Sequence, residues 1–300
     1  MIQYDPHKWL DHFFDVRGSL VKEISGRLLA AVVWSVAVVW VDGRWMDLGI
    51  SSLIHQLVGF ALGLLLVFRT NASYDRFWEG RKLWGGMVNE CRNLVRLALV
   101  HFEGDRDRDL LLRLTRLTAL FPYSAMHQLR GTQARYEKAE SDHEDFDRLL
   151  KAQHAPLAVA TEMTTVLRRA HERGAFGEMV LNSLDQNVQL LMGYVGGCER
   201  IRKTPLPFAY VVHLRRALFV YCFTLPFALV NTFWWGTVLD VLVVSYVFFG
   251  IEEIGVEIEG PFGTDDNDLP LEDICVTIEH NVLSLVGLEA GEREVLAREG

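Results

Sequence analysis

Three stretches of the chain suppress charge for long enough to matter. Residues 28–41, LLAAVVWSVAVVWV, hold about fourteen uncharged positions, short of the roughly twenty that cross a bilayer. Extending the run back to Ile24, past Arg27, brings it near that length, with the arginine snorkelling to the interface. After the loop DGRWMD, residues 48–68 hold twenty-one positions without a full charge and stop at Arg69. Residues 217–251 are too long for one span and contain Asn231, Thr232 and Gly236. They read as a helical hairpin joined near NTFWWG, with Trp234 and Trp235 at the interface indoles prefer. Any one run alone also fits a buried core helix. Together they predict an integral membrane protein with four transmembrane helices, two over 24–69 and two over 217–251.

Four spans put both termini on one side. Lys22 and Arg27 precede the first, Arg69, Arg76, Arg81 and Lys82 follow the second, and Arg215 and Arg216 precede the third. The two short loops on the other side carry only Arg44 between them, so the basic ends are assigned to the cytoplasm. His55, Gln56, Asn231 and Asp240 would be costly against lipid and are expected to face helices, water or a pore. Asn231 suits a bond between helices, and Asp240 suits the outer end of the fourth span.

The rest follows a different period. Residues 1–23 read as an N-terminal cytosolic helix, 70–216 as a cytosolic helical region, and 252–300 as an acidic loop and C-terminal tail. In the second of these, Phe77, Trp84, Met87, Cys91, Leu94 and Ala98 recur on one helical face. EGDRDRD separates this helix from DLLLRLTRLTALFPYSAMHQL. QARYEKAESDHEDFDRLLKAQHA is charge-dense, and two further amphipathic stretches precede residue 203. The fold class is all-α.

Composition agrees with spans attached to a water-facing body: 50% hydrophobic residues, mean hydropathy +0.14, yet 23% charged. A net charge of -9 argues against a nucleic-acid partner, which needs basic surface. Cys91, Cys198, Cys222 and Cys275 form no CxxC pair and read as reduced thiols. No GxSxG, dinucleotide glycine motif, P-loop or HExxH occurs, so nothing argues for an enzyme.

Three pieces then line up in order: FRTNASYDRFWEGRKLWG (68–85), CERIRKTPLPFAYVVHLRR (198–216) and GIEEIGVEIEGPFGTDDND (250–268). Together they resemble the bestrophin family of ion channels, in particular its bacterial branch, over residues 15–285. The resemblance implies a homopentamer of all-helical subunits in the bacterial inner (plasma) membrane, with four membrane helices each and one axial pore lined mainly by the second. It implies a hydrophobic neck in that helix and a second aperture in the cytosolic part. Eukaryotic members conduct chloride and other anions, and some bacterial ones pass monovalent cations, so either sign is compatible. The implied partners are the lipid bilayer, four further copies of the chain and small permeant ions. A non-conducting, membrane-anchored scaffold is the alternative from another class.

An apolar ring gates by dewetting, and the second span offers two stripes at i, i+4, i+8: Phe60, Leu64 and Phe68, or Leu53, Leu57 and Ala61. Bulk favours the first. Gly59 and Gly63, at GxxxG spacing, would admit a close helix on another face. For the lower aperture the resemblance points to Leu206, held between two prolines, with Ile201 second.

Residues 260–275, GPFGTDDNDLPLEDIC, crowd five carboxylates beyond the last span. The stretch fails the EF-hand pattern. In calcium-opened family members an acidic clasp follows a Pro-Phe-Gly turn. Here Pro261, Phe262 and Gly263 match, as do Asp265, Asp266 and Asp268. Thr264, Asn267 and Gly260 depart from it, and Glu257 could compensate. Calcium on Glu257, Asp265 and Asp268 is therefore one expectation, and a structural or ion-concentrating acidic loop the other.

Overall fold

A computed structural model describes residues 20–102, 104–133 and 143–288. The helix expected over 1–23 lies outside the described residues up to position 19, as does the tail from 289. Every regular element among the described residues is helical, with no strand. In chain order these are α1 (Val21–Asp42), α2 (Ser52–His101), a 3-10 turn (Gly104–Asp107), α3 (Arg108–Arg130), α4 (His143–Leu150), α5 (Ala155–Glu172), α6 (Glu178–Lys203), α7 (Phe208–Phe233), α8 (Gly236–Glu257) and α9 (Leu271–Leu285).

The chain divides into two compact units. The first comprises residues up to 78 and 205–268, and so contains α1, the first part of α2, α7 and α8. Here α1 packs on α8 and α7, and α7 packs on α8. Leu62 and Leu66 of α2 bury themselves against Leu214 and Leu218 of α7. Between apolar helices in lipid such contacts stabilise through van der Waals packing rather than water exclusion. Gly59 makes the approach possible: a Cβ there would sit 2.6 Å from the Tyr221 hydroxyl on α7. Gly63 meets nothing within 4 Å, so only the first glycine of the pair serves a close contact.

Helix limits differ from the apolar runs in two places. The run beginning at residue 48 becomes helical only at Ser52. Ahead of it the chain is held out of the helix, because Ile50 donates its N–H to the Phe227 carbonyl (2.9 Å) and Leu48 donates to the Asp42 carboxylate (2.7 Å). At Gly49 a Cβ would lie 1.9 Å from the Asn231 amide, so only glycine fits. Asn231 itself donates to Asp47 (3.2 Å), a contact at the helix end rather than in mid-span. At the other limit, Arg69 ends the apolar run but not the helix, since no glycine turn or proline follows and α2 continues to residue 101. Fifty residues at a rise of about 1.5 Å reach about 75 Å, far more than a bilayer core of about 30 Å.

Helices α1, α2 and α7 are each long and apolar enough to cross a membrane. Helix α8 equals α1 in length, 22 residues, but carries Asp240 near its start and Glu252 and Glu253 near its end. The link between α7 and α8 falls at Trp234–Trp235, and Trp234 takes a positive φ of 49°, a strained value for a bulky residue.

The second unit comprises residues 79–204 and those from 269 on. Helix α3 packs on α5 and α9, and α5 packs on α6 and α4. Trp84, Met87, Cys91, Leu94 and Ala98, all read as one apolar face, are fully buried, and Phe77 is half-buried. Gly131 ends α3 in the left-handed conformation (φ 72°) that glycine adopts without strain. Arg130 forks onto Glu272 of α9, and the Tyr123 hydroxyl donates to Glu279 (2.7 Å). One of the five carboxylates near residue 270 is thus an internal ion pair.

Candidate pore-lining face and the charged cluster behind it

Helix α2 has a narrow buried stripe. Leu62, Leu66, Arg69 and Ser73, spaced four, three and four apart, are all at most 3% exposed. At about 100° per residue the opposite face carries Leu53, Leu57, Phe60 and Leu64, in the same spacing, followed by Phe68. These five are 63%, 66%, 78%, 48% and 57% exposed. Ala61, from the second stripe, is exposed beside them. The two registers kept apart in the sequence are therefore neighbours on one apolar face, one a turn or two further along than the other. His55 does not belong to it: its Nε2 meets the Thr224 hydroxyl of α7 at 2.8 Å. Gln56 is exposed and reaches only Ser52 (3.5 Å).

Behind the buried stripe stands a cluster of ions. Glu252 of α8 is 3% exposed and accepts from Arg215 Nε at 2.8 Å and Arg27 Nη1 at 3.4 Å, with Arg69 Nη2 4.0 Å away. Arg27 also reaches Glu253 (2.8 Å). Arg69, 1% exposed, lies 3.5 Å from Glu259. A charge so far from water persists only when paired. Gly255 makes room for it, because a Cβ there would stand 3.1 Å from Arg69 Nε. In the sequence Arg27, Arg69 and Arg215 read only as basic ends of apolar runs. The missed signal was the pair Glu252–Glu253 closing an apolar run, with three arginines at the ends of three others.

Glu259 extends the cluster to the proline loop. Its Oε1 accepts the backbone N–H of Leu206 (3.0 Å), and its carbonyl accepts from Arg76 Nε (3.1 Å). Leu206 is half-buried, whereas Ile201, at the end of α6, is 4% exposed. A side chain that buried has little surface to offer an aperture.

The acidic loop is organised by its own hydrogen bonds. Asp268, 3% exposed, accepts the Asp265 N–H on Oδ2 (2.9 Å) and donates its own N–H to the Asp265 carbonyl (3.0 Å). Gly263 lets that carboxylate approach, since a Cβ would lie 2.5 Å from Oδ2. Glu257 accepts from the Asn267 amide (2.9 Å), so the residue that replaces an acid of the calcium clasp holds the carboxylate expected to compensate for it. Asp265 and Asp266 are exposed. Among the described residues no three His, Cys, Asp or Glu side chains are grouped to hold a metal ion. Calcium does not fit this arrangement, because Glu257 and Asp268 are turned to the loop and Asp265 and Asp266 to solvent.

All four cysteines are buried. Burial, reinforced by the carboxylates of Glu79 and Glu199, pushes the Cys198 thiol up to about 12, leaving it protonated.

An all-helical chain with three bilayer-length apolar helices, one of them exposed along a full apolar face, defines a membrane protein built to meet other surfaces than its own core. Residues 1–284 match the model of the bacterial/fungal bestrophin protein family, and the chain belongs to that family. Among its relatives are the voltage-dependent anion channel-forming proteins of Synechocystis sp., 38% identical over 94% of this chain and 93% of the relative, and of Escherichia coli K12, 34% identical over 95% and 94%. The crystal structure of a bacterial bestrophin homologue from Klebsiella pneumoniae superposes with a TM-score of 0.81 at 32% identity, covering 89% of this chain and 99% of that one. The family is one of ion channels, not of enzymes.

Proposed function

We propose that five copies of this chain surround one axial pore in the bacterial inner membrane, both termini cytoplasmic, and conduct small monovalent ions. The observation that carries the reading is the exposed apolar face of α2. A helix of bilayer length that turns five large apolar side chains away from its own subunit supplies, when repeated around an axis, rings that gate by dewetting. Leu53, Leu57, Phe60, Leu64 and Phe68 form this neck as one continuous stripe. Leu206, presented by Pro205 and Pro207 and anchored through its N–H to Glu259, narrows the cytosolic path, and the burial of Ile201 favours Leu206 for that role. Helix α8 completes four spans: Asp240 lies near one end, and the charge of Glu252 is met by Arg27 and Arg215.

Anion conduction is the first reading, since relatives carry the name of anion channel-forming proteins. A cation-selective channel of the same build is the second. It is favoured by Asp75, exposed on α2 three turns beyond Leu64 and on the same face, where five copies would ring the path with carboxylate. Bilayer recording of the purified protein under a salt gradient tests both. A reversal potential on the anion side that Asp75→Asn leaves in place supports the first. A cation-side potential that collapses in the variant supports the second. No conductance from a pentamer supports the scaffold, and a monodisperse monomer or dimer overturns the architecture.

A further inference from the structure

Between α1, α7 and α8 lies a cavity of about 720 Å³ that the conduction path does not use. One end is ionic, formed by Arg27, Arg215 and Glu252, and the other is closed by aromatic rings. Trp34 stacks on Phe223 with ring centroids 4.5 Å apart and donates its indole N–H to the Phe223 carbonyl (2.9 Å). The space exists because α1 presents Gly26, Ala30 and Ala31 towards α7 rather than larger side chains. A second groove of about 490 Å³ runs along α1 and shares Gly26, Ala30 and Trp34 with the first.

At the ionic end Arg215 is short of acceptors. Arg215 is 54% exposed and gives only its Nε to Glu252; its two terminal nitrogens donate no hydrogen bond among the described residues. Arg27 is 43% exposed, and Lys22 stands exposed one turn before Gly26 on the same helix. Two guanidinium groups and one carboxylate line the cavity beside a wall of apolar and aromatic carbon; Glu253 takes one terminal nitrogen of Arg27 (2.8 Å), so the open donors are those of Arg215. Guanidinium forks match phosphate oxygens, and basic pockets between membrane helices on the cytoplasmic side take anionic headgroups.

We propose that this cavity binds one anionic phospholipid, its phosphate on the terminal nitrogens of Arg215 beside the paired Arg27, one acyl chain against the Trp34–Phe223 stack and the other in the groove along α1. The proposal rests on the cytoplasmic assignment of these basic ends. A free phosphate could satisfy the arginines but would leave the apolar wall uncovered, so the lipid is the occupant that fits both ends.

The test uses the intact, delipidated channel in detergent and phosphatidylglycerol as probe, read by native mass spectrometry and by thermal midpoint. Phosphatidylethanolamine and inorganic phosphate serve as comparisons. Phosphatidylglycerol is expected to remain bound and raise the midpoint, with neither comparison doing so. Gly26→Phe fills the cavity, and a Cβ at Gly26 meets nothing within 4 Å, so the side chain enters without a backbone clash; oligomer size is checked on the variant. Arg215→Gln removes the free donors while Arg27 still serves Glu252. Each variant is expected to weaken phosphatidylglycerol about tenfold, the loss of one charge-assisted hydrogen bond or of the site's volume. Equal binding of both lipids, unchanged binding in both variants, or full stabilisation by inorganic phosphate overturns the proposal. So does an Ala30→Cys variant that cross-links to a second copy, which would mean that the protein itself fills the space. Conductance recorded on the same samples separates the two ideas: a bound lipid on a silent protein overturns the channel and leaves the site.

Discussion

Replacing Glu252 by Gln deletes one charge from the least hydrated ion cluster in the first unit and keeps the side chain's volume. Arg69, 1% exposed, then retains only Glu259 as a charged partner at 3.5 Å, and Arg215 has a neutral amide in place of the carboxylate at 2.8 Å. Breaking a buried pair from one side costs about 3–5 kcal/mol. The surviving Glu259 contact, and the half-exposed Arg27 and Arg215, which water screens, hold the expected loss to the lower end, about 3 kcal/mol. That corresponds to roughly a hundredfold in the folding equilibrium. Arg69→Met alone is smaller, because Glu252 keeps two arginines. The double variant removes the stranded charge altogether and is expected to lie within about 1 kcal/mol of the parent, as apolar replacement of buried pairs commonly does. The measurement is a double-mutant cycle on reversible unfolding in mixed micelles, with oligomer size checked on every variant. A coupling near 2 kcal/mol fits the geometry. Additive losses, or a Glu252→Gln effect below about 0.5 kcal/mol, would refute the view that Arg69 depends on α8 for its charge balance.

Three further outcomes follow from the α2 face, the loop and the thiols. Phe60→Ala, Leu64→Ala and Phe68→Ala combined are expected to raise conductance or open probability, since smaller rings lower the dewetting barrier. Leu53→Ala with Leu57→Ala should act in the same direction because the stripe is continuous, and if neither set alters conduction the neck is elsewhere. Gly263→Ala forces a Cβ to 2.5 Å from Asp268 Oδ2 and should cost about 1–3 kcal/mol in melting experiments, whereas calcium should shift neither the melting curve nor the open probability. Cys198, with its thiol near 12, is about one part in ten thousand thiolate at pH 8 and should resist maleimide until denaturant is added. Rapid labelling of the native protein at that position would contradict the packing around α6.

Much of the helical layout was legible because charge suppression and helical period are local properties. The run ending at Phe68, the hairpin turn at Trp234–Trp235 and the buried face from Trp84 to Ala98 can all be read from neighbours within a turn or two. What could not be read depends on residues far apart in the chain. Arg69 looked like the end of a span because charge ends apolar runs, yet Glu252 and Glu259, nearly two hundred residues later, let it sit inside an unbroken helix. The same distance hid the relation between the two α2 stripes: spacing placed each on a face, but only the buried side, set by Leu214 and Leu218, revealed that the face is shared. The acidic loop stayed open between two readings for a different reason. Composition counts carboxylates without saying where they point, and here Asn267 and the Asp265 N–H claim two of them.

The attachment of the proline loop has an evolutionary side. Pro205 and Pro207 have no N–H to give, so the single donor in the three-residue stretch is that of Leu206, and Glu259 takes it. The grip is on the main chain, indifferent to what the side chain is. Position 206 therefore works as a socket: a valine, methionine or threonine could be exchanged there while the loop keeps its anchor and its course. With Leu206 as the proposed aperture, its width and polarity can drift by single substitutions at one codon, with the framework that holds them under separate and stricter selection.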